Sequence, residues 1–283
     1  MSNDLSFDEY TARQYRELEP EHLLTRALTL QPSGHYRRNG RGWVSLPYPG
    51  FAVVSMVDRE PLNQDLPGIL ESVQAALWEH CPWGESLYFL PASSFHQTIA
   101  NTLSEDRFIE HIARPGLEGA YPQRVAEAFA RIPRFAGAAV AAATAEDAPG
   151  PRAAKAEPEP GAPIRMPLAG LSIFGTALGV LGVFEEEESY QRILHFREHF
   201  YKDPAVRAFD VRRTRPFIGH VTLAYVETDL TTMQREELGA AVHSLNQAMF
   251  AARPVFHLAP AELRRYENLS AFERRPTFPQ YIL

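Results

Sequence analysis

Two segments of alternating polarity, Phe95-His96-Gln97-Thr98-Ile99 and Gly219-His220-Val221-Thr222-Leu223, do most to limit what this chain can fold into. Each sets a histidine two residues ahead of a threonine, inside a run rich in β-branched and aromatic residues and bounded by turn signals, the pattern of a strand. On a strand, side chains at i and i+2 share one face about 7 Å apart. Phe95, Gln97 and Ile99 then point the other way, as do Val221 and Leu223. The fold must supply two strands with matching faces, each carrying one proton-transfer group and one hydroxyl. Of the ten histidines, only His96 and His220 have Thr or Ser two places on. One such motif alone reads as a half-buried strand histidine; two in equivalent contexts read as one shared site.

The element order around the motifs repeats. Phe51 to Val57 predicts a strand, Pro67 to His80 a helix capped by Asp65, and Phe95 to Leu103 the first motif strand. Ala177 to Phe184, the amphipathic helix from Glu187 to Tyr201 and Phe217 to Val226 repeat that order. His96 lies 45 residues after Phe51, and His220 lies 43 after Ala177. The fold class that follows is α+β, with two pseudo-symmetric lobes of mixed sheet and helix around a central cleft. Leu87 to Leu90, Arg165 to Phe184, Val255 to Pro260 and Leu269 to Phe272 supply further strand signal. Ser104 and Pro122 open helices, and Thr231 with Gln234 forms a capping box for a helix reaching about Ala252.

Two segments stand apart. Residues 1–48 read as an N-terminal arm, with a helical pattern from Ser6 to Leu28 and a solvated Gly/Arg/Tyr loop from Gly34 to Gly42. Residues 49–283 form the bilobal domain. It is interrupted at about 136–162 by an Ala/Pro/Glu/Gly-rich stretch that cannot bury enough apolar surface to offset its ordering entropy, and so reads as a flexible insertion.

The formal charge of −7 disfavours a protein that coats duplex nucleic acid, since phosphate neutralisation supplies most of that affinity. A small phosphorylated molecule or an RNA end fits better. The single cysteine, Cys81, excludes an intrachain disulfide and fits a reducing compartment. No secretory signal precedes the first helix, so the expected location is cytoplasmic. The uncharged run from Met166 to Phe184 holds Pro167 and four glycines, and reads as two buried strands joined near Gly175 rather than a membrane span.

In-line displacement at phosphorus needs a base beside the entering water and an acid beside the leaving oxygen. Two imidazoles on opposed strands meet that need; with ordinary pKa values near 6.5, one is neutral while the other is charged. Thr98 and Thr222 would donate to the non-bridging oxygens. Arg213 and Arg215, just ahead of the second motif, are candidates to clamp a phosphate, and Ser94 shares the His96 face if the strand begins early enough. His195 and His199 stand at helical i and i+4 spacing, but the order differs from His-Glu-x-x-His and no third ligand is evident, so neither a metal nor any other cofactor is expected.

With these motifs the chain resembles the two-histidine (2H) phosphoesterase superfamily, whose signature is two His-x-Thr/Ser motifs on strands, one per lobe, across a groove. Here they stand as His96-Gln97-Thr98 and His220-Val221-Thr222, and the phrases around them resemble a bacterial branch with no assigned substrate. The resemblance spans roughly residues 50–275. The 124 residues between the histidines exceed the spacing of compact members, and the insertion accounts for the excess. It implies a cyclic phosphodiesterase-like hydrolase, metal-free, acting on 2′,3′-cyclic nucleotides, 2′-linked phosphodiesters or RNA ends. The alternative function is a non-catalytic nucleotide sensor using the same groove.

Overall fold

Ser6 opens the first helix with both halves of a capping box: its hydroxyl accepts from the Glu9 N–H, and the Glu9 carboxylate accepts from the Ser6 N–H at 2.9 Å. The computed structural model describes residues 4–40, 42–135, 162–258 and 260–283; the expected insertion, Ala162 apart, falls outside them. The helix expected from Ser6 to Leu28 is two helices, α1 (Phe7–Arg16) and α2 (Pro20–Leu28). Pro20 causes the break, because it starts a helix well and continues one badly.

The loop expected at Gly34 to Gly42 contains part of a hairpin, β1 (Tyr36–Asn39) and β2 (Gly42–Ser45). Then come β3 (Gly50–Met56), α3 (Leu66–His80), β4 (Leu87–Phe89), β5 (His96–Ser104), α4 (Glu105–Phe108) and α5 (Tyr121–Arg131). Beyond residue 162 follow β6 (Ile164–Phe174), β7 (Ala177–Gly182), α6 (Glu187–Lys202), α7 (Pro204–Arg207), β8 (His220–Val226) and α8 (Thr232–Met249). The chain closes with β9 (Val255–Leu258), β10 (Pro260–Asn268), β11 (Ala271–Glu273) and β12 (Gln280–Ile282). Asp65 makes no side-chain cap, whereas Thr231 and Gln234 make both bonds of theirs. The run from Met166 to Phe184 is a strand pair, and among the described residues no helix is long and apolar enough to cross a membrane.

The strands form an α+β fold with two antiparallel five-stranded sheets. The first runs β11-β10-β3-β5, with β12 also on β10; the second runs β4-β8-β7-β6-β9. Within them β10-β3-β5 corresponds to β6-β7-β8, and each motif strand pairs antiparallel with the strand that begins its repeat. The motif strands β5 and β8 touch where the two sheets meet.

The helices cross over. α3 leaves the first sheet to pack on β8 and α8, while α6 leaves the second sheet to pack on β5 and α5. Each lobe is therefore covered partly by a helix from the other's repeat. The described part of the expected arm, residues 4–40 and 42–48, shares this core: Tyr10, Leu23, Ala27, Leu30 and Tyr36 are buried in the same apolar cluster as Phe95, Ile99, Val221 and Leu223.

Candidate functional site

The motif strands alternate as their polarity dictates. Gln97, Ile99, Val221 and Leu223 are buried, whereas His96, Thr98, His220 and Thr222 are half-buried on the opposite faces. In the first sheet, His96 stands opposite Met56 and Thr98 opposite Val54, so the face carrying them is floored by a small apolar group of Ala52, Val54, Met56 and Tyr266. In the second, His220 stands opposite Leu181 and Thr222 opposite Gly179.

Both imidazoles are held in the same way. His96 Nδ1 lies 2.7 Å from the Ser94 carbonyl, and His220 Nδ1 lies 3.1 Å from the Ile218 carbonyl, in each case two residues back. A carbonyl only accepts, so each Nδ1 carries the proton and each Nε2 is left as a lone-pair acceptor. A phenylalanine leans on each ring: Phe272 at 4.2 Å from His96 and Phe174 at 5.2 Å from His220, between ring centres. Gly179 makes room for the second contact, since a Cβ there would meet the Val221 carbonyl at 2.7 Å and the Phe174 ring at 3.1 Å.

The crossing helices brace both strands at equivalent points. Gln74 on α3 donates to the Leu223 carbonyl at 2.8 Å, three residues after His220. Arg197 on α6 donates to the Ile99 carbonyl at 2.7 Å, three residues after His96. Neither brace is apparent from spacing, because each comes from a helix distant in sequence.

Gln97 joins the lobes directly. Its amide nitrogen donates to the Ile218 carbonyl at 3.1 Å, and its amide oxygen accepts from the His220 backbone N–H at 2.6 Å. The middle residue of the first motif thus fixes the backbone on both sides of Gly219. Its sequence signal is a polar residue in phase with Phe95 and Ile99 on a face that otherwise buries apolar groups; a buried amide demands partners.

Burial is the main influence on both histidines. It drives His96 down to about 4, with the Ser94 carbonyl opposing and the nearby His220 and Arg264 adding to the fall. It likewise drives His220 to about 4, with the Ile218 carbonyl opposing and Arg215 adding to the fall. The sequence expectation of one neutral and one charged ring near neutrality is therefore revised for the ligand-free protein: both rings are neutral at pH 7, because burial disfavours the charged imidazole and nearby cations add to that.

A cavity of about 20 Å³ opens between the lobes, lined by Thr98 and His220 together with Asn101, Arg197, Arg215 and Phe217. It takes one residue from each motif; His96 and Thr222 do not line it. Arg215, exposed, lines it as well. Arg213 does not line it; its guanidinium pairs with the buried carboxylate of Asp4. Ser94 is not on the motif strand. It ends a short 3₁₀ turn, is buried, and donates its hydroxyl to the Pro91 carbonyl at 2.7 Å. Its contribution is the carbonyl that orients His96. His195 Nε2 and His199 Nδ1 lie 2.8 and 2.9 Å from the Pro133 and His195 carbonyls, and no group of three or more potential metal ligands exists among the described residues.

No protein-family model and no curated protein matches the chain. Among solved structures it is similar to a conserved protein of unknown function from Agrobacterium tumefaciens str. C58, at 17% identity and a TM-score of 0.56, covering 88% of this chain and 94% of that one. That likeness concerns the fold.

Proposed function

We propose that this protein is a metal-independent phosphoesterase that hydrolyses a cyclic or 2′-linked phosphodiester by acid–base catalysis between His96 and His220. The observation that carries the reading is the matched state of the two imidazoles: each Nδ1–H is tied to the carbonyl two residues back, leaving each Nε2 lone pair unspent. A binding module gains nothing from two such titratable groups, and a hydrolase needs both.

In the reaction, one Nε2 takes a proton from water as the water oxygen forms its bond to phosphorus. The bond from phosphorus to the leaving ribose oxygen breaks, and the other imidazole, protonated on Nε2, gives its proton to that oxygen. Burial keeps both rings neutral in the free protein, so the second proton enters with the substrate: a phosphate anion beside an imidazole favours the charged form. Thr98 and Thr222 donate to the non-bridging oxygens as their charge grows. The reading includes action in the cytoplasm, with which a free, buried Cys81 is consistent.

The test is a turnover screen of 2′,3′-cyclic nucleotides and short RNAs ending in a cyclic phosphate, with chelator present throughout and His220→Ala as control. Chelator-insensitive hydrolysis, lost in the control, is expected. Tight binding without turnover, or turnover unchanged in His220→Ala, refutes the reading.

A further inference from the structure

The cavity extends past the motif residues along β5. Asn101 lies three positions after Thr98, and the bulge at Ile99, where Val54 pairs with Thr98 and Val53 with Ala100, lets both line the cavity, so a phosphoryl group held at Thr98 leaves the Asn101 amide for a second group. Beside Asn101 lies Arg215, whose guanidinium makes a single long bond of 3.3 Å to the Asn101 amide oxygen. No carboxylate pairs with Arg215 among the described residues. In a chain of net charge −7, Arg215 thus stands beside the cavity with no ion-pair partner among the described residues.

Arg197 lies beneath and is only 2% exposed. One of its terminal nitrogens holds the Ile99 carbonyl at 2.7 Å and the other holds the Arg215 carbonyl at 2.9 Å, so it fixes the backbone from which Arg215 projects. Its buried Nε has no acceptor. The nearest carboxylate, Asp4, stands 3.7 Å away and also serves Arg213. Two guanidiniums thus share one carboxylate, and Arg215 adds a third positive charge beside the cavity.

We infer that Asn101, Arg215 and the underlying Arg197 form a second anion subsite, so that the favoured substrate carries a phosphomonoester on the same nucleotide in addition to the phosphodiester that is cleaved. The inference rests on the phosphoesterase reading of the adjoining motif residues. A terminal phosphate accepts the bidentate hydrogen bonds that a guanidinium fork presents, and the Asn101 amide supplies a neutral donor beside it.

The experiment is calorimetric titration of the full-length protein with adenosine 2′-monophosphate and adenosine 2′,5′-bisphosphate, in the wild type, Arg215→Gln and Asn101→Ala. One charge-assisted contact is worth about tenfold or more in affinity, so the wild type is expected to prefer the bisphosphate by at least about that factor. Arg215→Gln should reduce the ratio of the two dissociation constants to below about threefold, and Asn101→Ala should reduce it less. Equal wild-type affinities for the two nucleotides, or a ratio that survives Arg215→Gln, overturns the subsite and leaves the phosphoesterase reading standing. Failure of the wild type to bind the bisphosphate likewise overturns the subsite, while the turnover screen decides the phosphoesterase reading.

Discussion

The side-chain amide of Gln97 accepts the backbone N–H of His220 at 2.6 Å, so the first motif positions the histidine of the second. The same amide donates to the Ile218 carbonyl, which also receives the proton on His220 Nδ1. One buried side chain from the other lobe therefore holds the backbone N–H of His220 and the carbonyl that orients its ring. Gln97→Leu would remove both inter-lobe amide bonds while preserving approximate volume. It is expected to orphan buried polar groups at about 1–3 kcal/mol each, and to lower kcat by at least about tenfold through misplacement of the ring. Denaturant unfolding reads the first effect. Steady-state kinetics reads the second, with kcat falling more than KM rises. A variant with unaltered kcat would show that the inter-lobe bond is structural only.

If the imidazoles exchange protons as proposed, His96→Ala and His220→Ala should each lose well over about a hundredfold in kcat/KM, and Thr98→Ala or Thr222→Ala about 10- to 100-fold. The pH dependence should be bell-shaped and displaced toward acid. With both free-protein pKa values near 4, the state holding one proton between the rings is most populated near pH 4. Bound phosphate favours the charged rings, so the kcat profile should lie at higher pH than that of kcat/KM. Arg215→Gln removes a cation that disfavours protonation of His220 and should move one limb of kcat/KM upward. A bell centred near 7 in kcat/KM would contradict the depressed values.

The same depression bears on stability, and the sign follows from proton uptake. Between pH 6.5 and about 4 the unfolded chain holds protons on His96 and His220 that the folded chain does not. Stability from these groups is therefore complete above the unfolded value and is lost as pH falls toward the folded one. Melting temperature should fall from pH 7.5 to pH 5, a range above most carboxylate titration. The drop should be smaller in His96→Gln/His220→Gln. An equal drop in that double variant would assign the acid sensitivity to other groups.

Asp4 ties the N-terminal segment to the second motif. Its carboxylate, 2% exposed, pairs with Arg213 and accepts the Phe217 N–H at 3.2 Å, and Arg197 stands 3.7 Å away. Asp4→Ala would leave the buried guanidinium of Arg197 without a counter-charge, a change that costs about 3–5 kcal/mol when one partner of a buried pair is lost. Chemical denaturation checks this, and a change under about 1 kcal/mol would place the pair in the weak, solvent-screened class.

The elements of the motif strands were legible because strand periodicity and turn chemistry are local. β5, β8, α3, α6 and the β6-β7 pair lie within a few residues of where the sequence sets them, although β8 starts at His220 rather than Phe217. What spacing could not convey was long-range: that α3 and α6 change lobes, that Gln74 and Arg197 arrive at equivalent carbonyls, and that Tyr10 from the N-terminal segment bonds the Gly182 carbonyl at 2.9 Å. Ser94 misled for a local reason. The run Pro91 to Ser94 forms a turn, so strand phase does not extend back to it. Arg213 and Arg215 look alike in sequence, and only the position of Asp4 separates them.

Gly219, immediately before His220, offers a last test of how closely the site depends on packing. A Cβ there would lie 2.5 Å from the Gly182 carbonyl oxygen, 2.9 Å from the Tyr10 hydroxyl and 3.0 Å from the Met166 sulfur. The Gly219 carbonyl meanwhile accepts from the Gly182 N–H and from Gln14, both at 2.9 Å. The sulfur belongs to a flexible side chain and can yield, whereas the carbonyl is part of β7 and cannot move without breaking its pairing. Gly219→Ala should therefore push His220 away from β7 and α1, at about 1–3 kcal/mol for an overpacked core position. A loss in kcat should accompany it. Gly175→Ala serves as the control, since a Cβ in that turn meets nothing within 4 Å. Thermal melts should separate the two by several degrees, and equal melting temperatures would mean that β7 and β8 can part without cost.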